Sequence, residues 1–122
     1  MEYATATDLY AQAQQQWQEA IELDLHESED IVYAIMPLLA QSLNLEPDYA
    51  PSLDLLSDIL MEIGAYDEAL EFAERLHDLA LDQPDYDQKL AALTAEQQHR
   101  RRLSRAYLRQ KRQRLVGGQP QH

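Results

Sequence analysis

Apolar residues recur at steps of three and four along most of the chain, the spacing that gathers them on one side of an α-helix. Leu9, Ala13, Trp17, Ala20, Ile21 and Leu25 form the first stripe. It predicts a helix that starts at Thr7 or Asp8, whose short side chains can accept first-turn N–H groups, and that ends near His26. Ser28, followed by Glu29 and Asp30, marks a second start, and Ile31, Val32, Ile35, Leu38, Leu39 and Leu43 carry that helix to Asn44. Pro37 inside it removes a backbone hydrogen bond and predicts a kink or a split. After a corner at Leu45-Glu46-Pro47-Asp48-Tyr49, a third helix runs from about Tyr49 to Ile63 and Gly64 closes it. A fourth runs from about Tyr66 to Leu81, antiparallel to the third because the connection is so short. Asp82-Gln83-Pro84-Asp85 is the next corner, and a fifth helix begins near Asp87 with Leu90 and Leu93 turned to the body. From Ala95 to Arg102 there is no large apolar residue, so that stretch has little to bury. Leu103, Tyr107, Leu108 and Leu115 then make a ragged apolar edge among arginines, and Gly117-Gly118-Gln119-Pro120 ends regular order.

The pattern is all-α, and composition agrees with it: 3 Gly and one Phe against many Ala, Leu, Gln and Glu. With no Cys, neither disulfides nor thiol chemistry enter, and a reducing, cytoplasmic setting is expected. The first residues, MEYATATDLYAQ, show no charged segment followed by an apolar one, so no secretory signal is read there, and no apolar run is long enough to span a bilayer.

Charge changes the picture more. The net charge of −12 conceals a division: all 22 acidic residues lie in residues 1–99, opposed only by Arg75 and Lys89, which leaves −20 there. Residues 100–122 hold the other eight basic residues and no acid, giving +8. The chain therefore reads as an acidic helical domain over 1–93 and a basic helical or flexible arm over 94–122. Such asymmetry points to charged partners, or to an arm that meets its own body.

Within the acidic part, Leu53, Leu56 and Leu60, with the small Ser57 beside them, precede a tight turn and helix start at Gly64-Ala65-Tyr66-Asp67-Glu68-Ala69-Leu70. Phe72 or Ala73, then Leu76, continue that second helix. The segment Ala50 to Leu76 thereby resembles a tetratricopeptide repeat, a pair of antiparallel helices with a period near 34 residues. Pro84 arrives about two residues late for the motif, and the preceding stretch, Gln14 to Pro47, keeps only Trp17, Ala20 and the Leu45-Glu46-Pro47 corner. The resemblance implies about two helical hairpins, the first degenerate, followed by a capping helix with a basic extension.

In that family the first helix of each repeat lines a concave groove that receives peptides, and the resemblance places Asp54, Asp58 and Glu62, four residues apart on one face, along it. Glu19 and Glu22 would add to the same negative field, with Met61 and Trp17 as apolar contacts, and the ligand would be basic or helical. A solvated helix face is the plainer reading of the same spacing. The family's grip on a chaperone's C-terminal carboxylate needs Lys, Arg and Asn, and the corresponding positions here are acidic or apolar.

Arg100, Arg101, Arg102, Arg105, Arg109, Lys111, Arg112 and Arg114 form the arm, which could meet phosphates in a salt-dependent, sequence-neutral way, with Tyr107 stacking on a base. Lys111-Arg112-Gln113-Arg114 also fits a weak nuclear-import pattern. The plainer readings are a solubilising tail or a strap across the body's own acids. Glu74-x-x-His77 and Glu96-x-x-His99 match the Glu-x-x-His spacing of di-iron bundles, but fall on polar faces and are not read as a metal site. Gly117-Gly118-Gln119 repeats the tripeptide of peptide release factors without a folded domain to hold it, and reads as a tail. No nucleophile–base pair or phosphate loop stands out, so no catalysis and no cofactor is expected. The expectation is a non-enzymatic protein-interaction module, an adaptor or chaperone-like scaffold. Nucleic-acid or ribosome association through the arm is the alternative. Self-association, with the arm of one chain on another's acidic body, is a third reading.

Overall fold

The computed structural model describes residues 3–79 and 81–117, without the side chains of 116 and 117. These residues form six helices, α1 (Ala6–Glu22), α2 (Glu29–Leu45), α3 (Ala50–Glu62), α4 (Tyr66–Asp78), α5 (Pro84–Thr94) and α6 (Gln97–Gly117), and no strand. The all-α fold is built from helical hairpins: α1 pairs with α2, α3 with α4, and α4, α5 and α6 follow as packed neighbours.

Local chemistry sets the ends of each helix. Thr5, not Thr7 or Asp8, caps α1: its hydroxyl accepts from the Asp8 N–H while the Asp8 carboxylate accepts from the Thr5 N–H, a capping box. At the other end Asp24 takes a left-handed backbone, φ 59°, and the N–H groups of Asp24 and Leu25 donate to the carbonyls of Ile21 and Ala20. Gly64, φ 81°, closes α3 by the same pair of bonds, from Gly64 to Met61 and from Ala65 to Leu60. Ser28 precedes α2, which runs unbroken through Pro37, so of the kink or split expected there the split does not occur. Pro37 is exposed, so its ring takes up surface space and the loss is confined to one hydrogen bond. α4 ends at Asp78, three residues early, and α5 starts at Pro84 instead of Asp87, because proline's fixed φ suits the first position of a helix. Ala95, in extended conformation, separates α5 from α6 without the help of Gly or Pro.

The centre of the molecule is α3, where nine of the 13 residues are buried. α2 and α4 cover one side of it, and α1 and α6 pack against it from elsewhere. One continuous core runs from Trp17 and Ala20 through Ile35, Leu39, Leu53, Ile59 and Leu76 to Leu93, Tyr107 and Leu108. A buried polar link sits among these groups, where the Ser42 hydroxyl meets the Ala6 carbonyl at 2.9 Å and the Ser52 hydroxyl at 2.7 Å. α6 joins the body through the stripe Leu103, Ser104, Tyr107, Leu108, Lys111 and Leu115, while Arg101, Arg102, Arg105 and Arg109 face outward. The tail reading at 117–120 lies outside the described residues except for Gly117.

Candidate functional site

Asp54, Asp58 and Glu62 follow one another on a single face of α3, and α6 lies across that face. The face is thus neither an open groove nor a solvated surface. Asp54 and Asp58 are joined there by both lysines of the chain, Lys89 from α5 and Lys111 from α6. Asp54 reaches Lys89 with one carboxylate oxygen at 2.6 Å and Lys111 with the other at 2.7 Å. Asp58 does likewise, at 2.9 Å to Lys89 and 2.6 Å to Lys111. Two carboxylates and two ammoniums make a closed, charge-balanced quartet. Balance matters because an unpaired charge buried at this depth costs several kcal/mol.

The remaining hydrogen-bonding capacity is also used. Lys89, with 0% of its surface exposed, donates further to the Asp54 carbonyl at 2.8 Å and the Ser57 hydroxyl at 2.6 Å. Ser57 in turn donates to the Asp54 carbonyl at 2.9 Å. The Tyr107 hydroxyl donates to Asp58 at 2.9 Å and accepts from Lys111 at 3.1 Å. Further pairs extend the contact outward: Arg112 with Glu62, Arg114 with Asp85 at 3.0 Å, and Arg100 with Asp67 at 3.0 Å, where Arg100 also lies over the Tyr66 ring.

Burial and the charges of the quartet together shift several of the groups in and beside it. Burial pushes the Asp54 carboxyl up, but Lys89 and Lys111 together outweigh it and hold it below the ordinary carboxylate range. At Glu62 burial prevails over the attraction of Arg112, and the carboxyl is held above its usual value. Burial alone would depress Lys111, yet Asp58 and Asp54 more than reverse that and raise it. The Tyr107 hydroxyl is pushed up by burial and by the same two carboxylates.

Of the residues expected to meet a partner, Asp54, Asp58 and Glu62 therefore face α6. Trp17 and Met61 are core residues, and only Glu19 and Glu22 are exposed. The basic residues divide evenly. Arg100, Lys111, Arg112 and Arg114 pair with acids of the body, whereas Arg101, Arg102, Arg105 and Arg109 have no ion-pair partner among the described residues. Tyr107 is buried, so it is not placed to stack on a base. Glu74, His77, Glu96 and His99 are all exposed, and among the described residues no group of three His, Asp or Glu converges as metal ligands would. No helix of the described residues is long and apolar enough to cross a membrane.

Lys89 is the residue that sequence reasoning passed over. It lies on the apolar stripe of α5, three residues after Tyr86 and four before Leu93. A lysine on such a stripe, in a chain with only one other, is the signal that marks it. Compared with protein-family models, with curated proteins and with solved structures, the chain gives no significant match to any of them.

Proposed function

We propose that the protein is a non-enzymatic interaction module that recognises a basic helical segment through the acidic face of α3, and that α6 is the occupant of that face in the free molecule. The observation that supports this reading most directly is the fit of α6. A helix with lysine and arginine on its inner edge finds an α3 carboxylate for each of Lys111 and Arg112. The resemblance of Ala50–Leu76 to a tetratricopeptide repeat, whose first helices line a peptide groove, adds a prior of the same kind. A labelled peptide spanning residues 97–117 tests the reading on the full chain. Lys111→Met with Arg112→Ala weakens the resident helix, and this variant should bind the peptide at least tenfold more tightly than the unaltered chain, with affinity falling as salt rises. Absence of binding by either chain at low salt overturns it.

One observation favours a second reading. Arg101, Arg102, Arg105 and Arg109 face outward in spite of the acidic excess of the body, and a polyphosphate backbone would find them free. Gel shift of a short single-stranded oligonucleotide, lost when all four become Gln, would support this reading, and no shift at low salt removes it.

A further inference from the structure

α2 and α4 both pack on α3 but scarcely on each other, and a furrow opens between them on the side away from α6. Its floor is Leu56 and Leu60 of α3, and its walls include Met36 and Pro37 on one side and Phe72 on the other, enclosing about 390 Å³. Tyr33 stands on the α2 wall with 63% of its surface exposed, and Glu68 stands on the α4 wall.

Three properties of this furrow identify what it would hold. The first is its shape and lining. An apolar channel floored by α3 and walled by α2 and α4 accepts a row of large side chains spaced by three and four, such as one face of another helix presents. The second is charge. Apart from Asp67, which Arg100 pairs, α2 and α4 together carry Glu29, Asp30, Glu68, Glu71, Glu74 and Asp78, all exposed, against one arginine. That arginine, Arg75, donates to the Pro47 carbonyl and lies over the Phe72 ring, so it offsets one of these charges and leaves an acidic excess. The third is a backbone acceptor. Pro37 has no N–H, so the Tyr33 carbonyl, one turn earlier on the same wall, lacks the donor that an uninterrupted helix supplies. A cationic side chain lying along the furrow would supply it.

We infer that the furrow between α2 and α4 is a docking surface for a basic amphipathic helix of a partner protein. It is separate from the acidic face of α3 and stays open with α6 in place. The apolar edge of the partner helix fills the channel over Leu56 and Leu60, with Tyr33 and Phe72 closing on it. Its lysines or arginines meet Glu68, Glu71 and the Tyr33 carbonyl.

The probe is a synthetic helix of about five turns with leucine on one face and lysine on the other. It is added to the isotope-labelled full chain while amide shifts are followed. Shifts should centre on Tyr33, Ala40 and Phe72. Tyr33→Ala should weaken binding about tenfold, and Glu68→Lys with Glu71→Lys should do so at low salt but much less at high salt. These side chains are exposed, so unchanged helicity and melting temperature keep the comparison fair. An equally charged peptide without the leucine face should not perturb the furrow. Three outcomes overturn the inference. Shifts confined to α6 and the facing side of α3 would place the peptide there, as the proposed function has it. Equal binding of the all-lysine peptide would reduce the furrow to an unspecific field. Furrow shifts that grow with protein concentration alone would make a second copy of this chain the occupant.

Discussion

Lys89→Met leaves the methylene stem in place but removes the ammonium, so Asp54 and Asp58 face each other with Lys111 alone between them. Breaking a buried pair by deleting one partner costs about 3–5 kcal/mol. Lys89→Met should lower unfolding stability by that order in urea titration, and a loss under 1 kcal/mol would show the quartet to be open to water. Tyr107→Phe is milder. It takes from Asp58 one charged hydrogen bond, worth about 1–3 kcal/mol, and leaves the ring packed. The sequence makes part of this visible. Asp54, Asp58 and Glu62 are legible as one face because the helical repeat alone aligns them. Their occupant is not legible, since the bonds from α6 to Asp54 join residues 57 apart and no local rule specifies such a pairing.

At the scale of elements, α1 and α3 close with the same two backbone bonds but different residues at the left-handed position. Gly64 meets its φ without strain, and a β-carbon there would touch nothing within 4 Å. Gly64→Ala should therefore cost only the conformational penalty, about 1–2 kcal/mol. Asp24 already bears that kind of penalty, softened by its short polar side chain, so Asp24→Gly should raise the melting temperature. If Asp24→Gly lowers it instead, the Asp24 side chain is holding the α1–α2 loop. This pair also explains one misreading. The Gly64 turn stands out because glycine announces it, whereas the end of α1 was read past Asp24 to His26 because aspartate does not. The break at Ala95 has no glycine or proline to announce it, and only the change from apolar to basic residues marks the place. The stripes within helices survived translation into structure far better than their ends did.

Over the whole molecule, charge and burial set a stability profile against pH with unequal flanks. Asp54 is depressed, so its contribution is complete above an unfolded carboxylate value near 3.9 and is lost as pH falls through its lower folded value. Glu62 is raised, and acidification relieves its burial, which opposes the loss. On the alkaline side the effects add. Lys111, the half-buried Tyr10 and Tyr86 and the buried Tyr107 are all raised, so what they contribute is complete below unfolded values of about 10 and is lost above them. Urea midpoints should stay level from about pH 5 to 9 and fall more steeply in base than in acid. Lys111→Met should flatten the alkaline fall, and an unchanged slope would remove Lys111 from its cause.

The quartet joins acids from α3, one lysine from α5 and one from α6, and synthesis delivers these in that order. Until α6 leaves the ribosome, Asp54 and Asp58 have only Lys89 for company, and the emerging body bears a surplus of negative charge that repels itself. We expect a nucleus built on the sequence-local α3–α4 hairpin to form without the bonds from α6 that lock the native structure. Lys111→Met should accordingly speed unfolding many-fold while leaving the refolding rate within about twofold, in a plot of both rates against urea. A strongly slowed refolding limb would mean that α6 arrives early. On this order of events, the helix that completes the charge balance acts as a clasp: it is closed last, and its strength shows in the native molecule's lifetime and not in the speed of its formation.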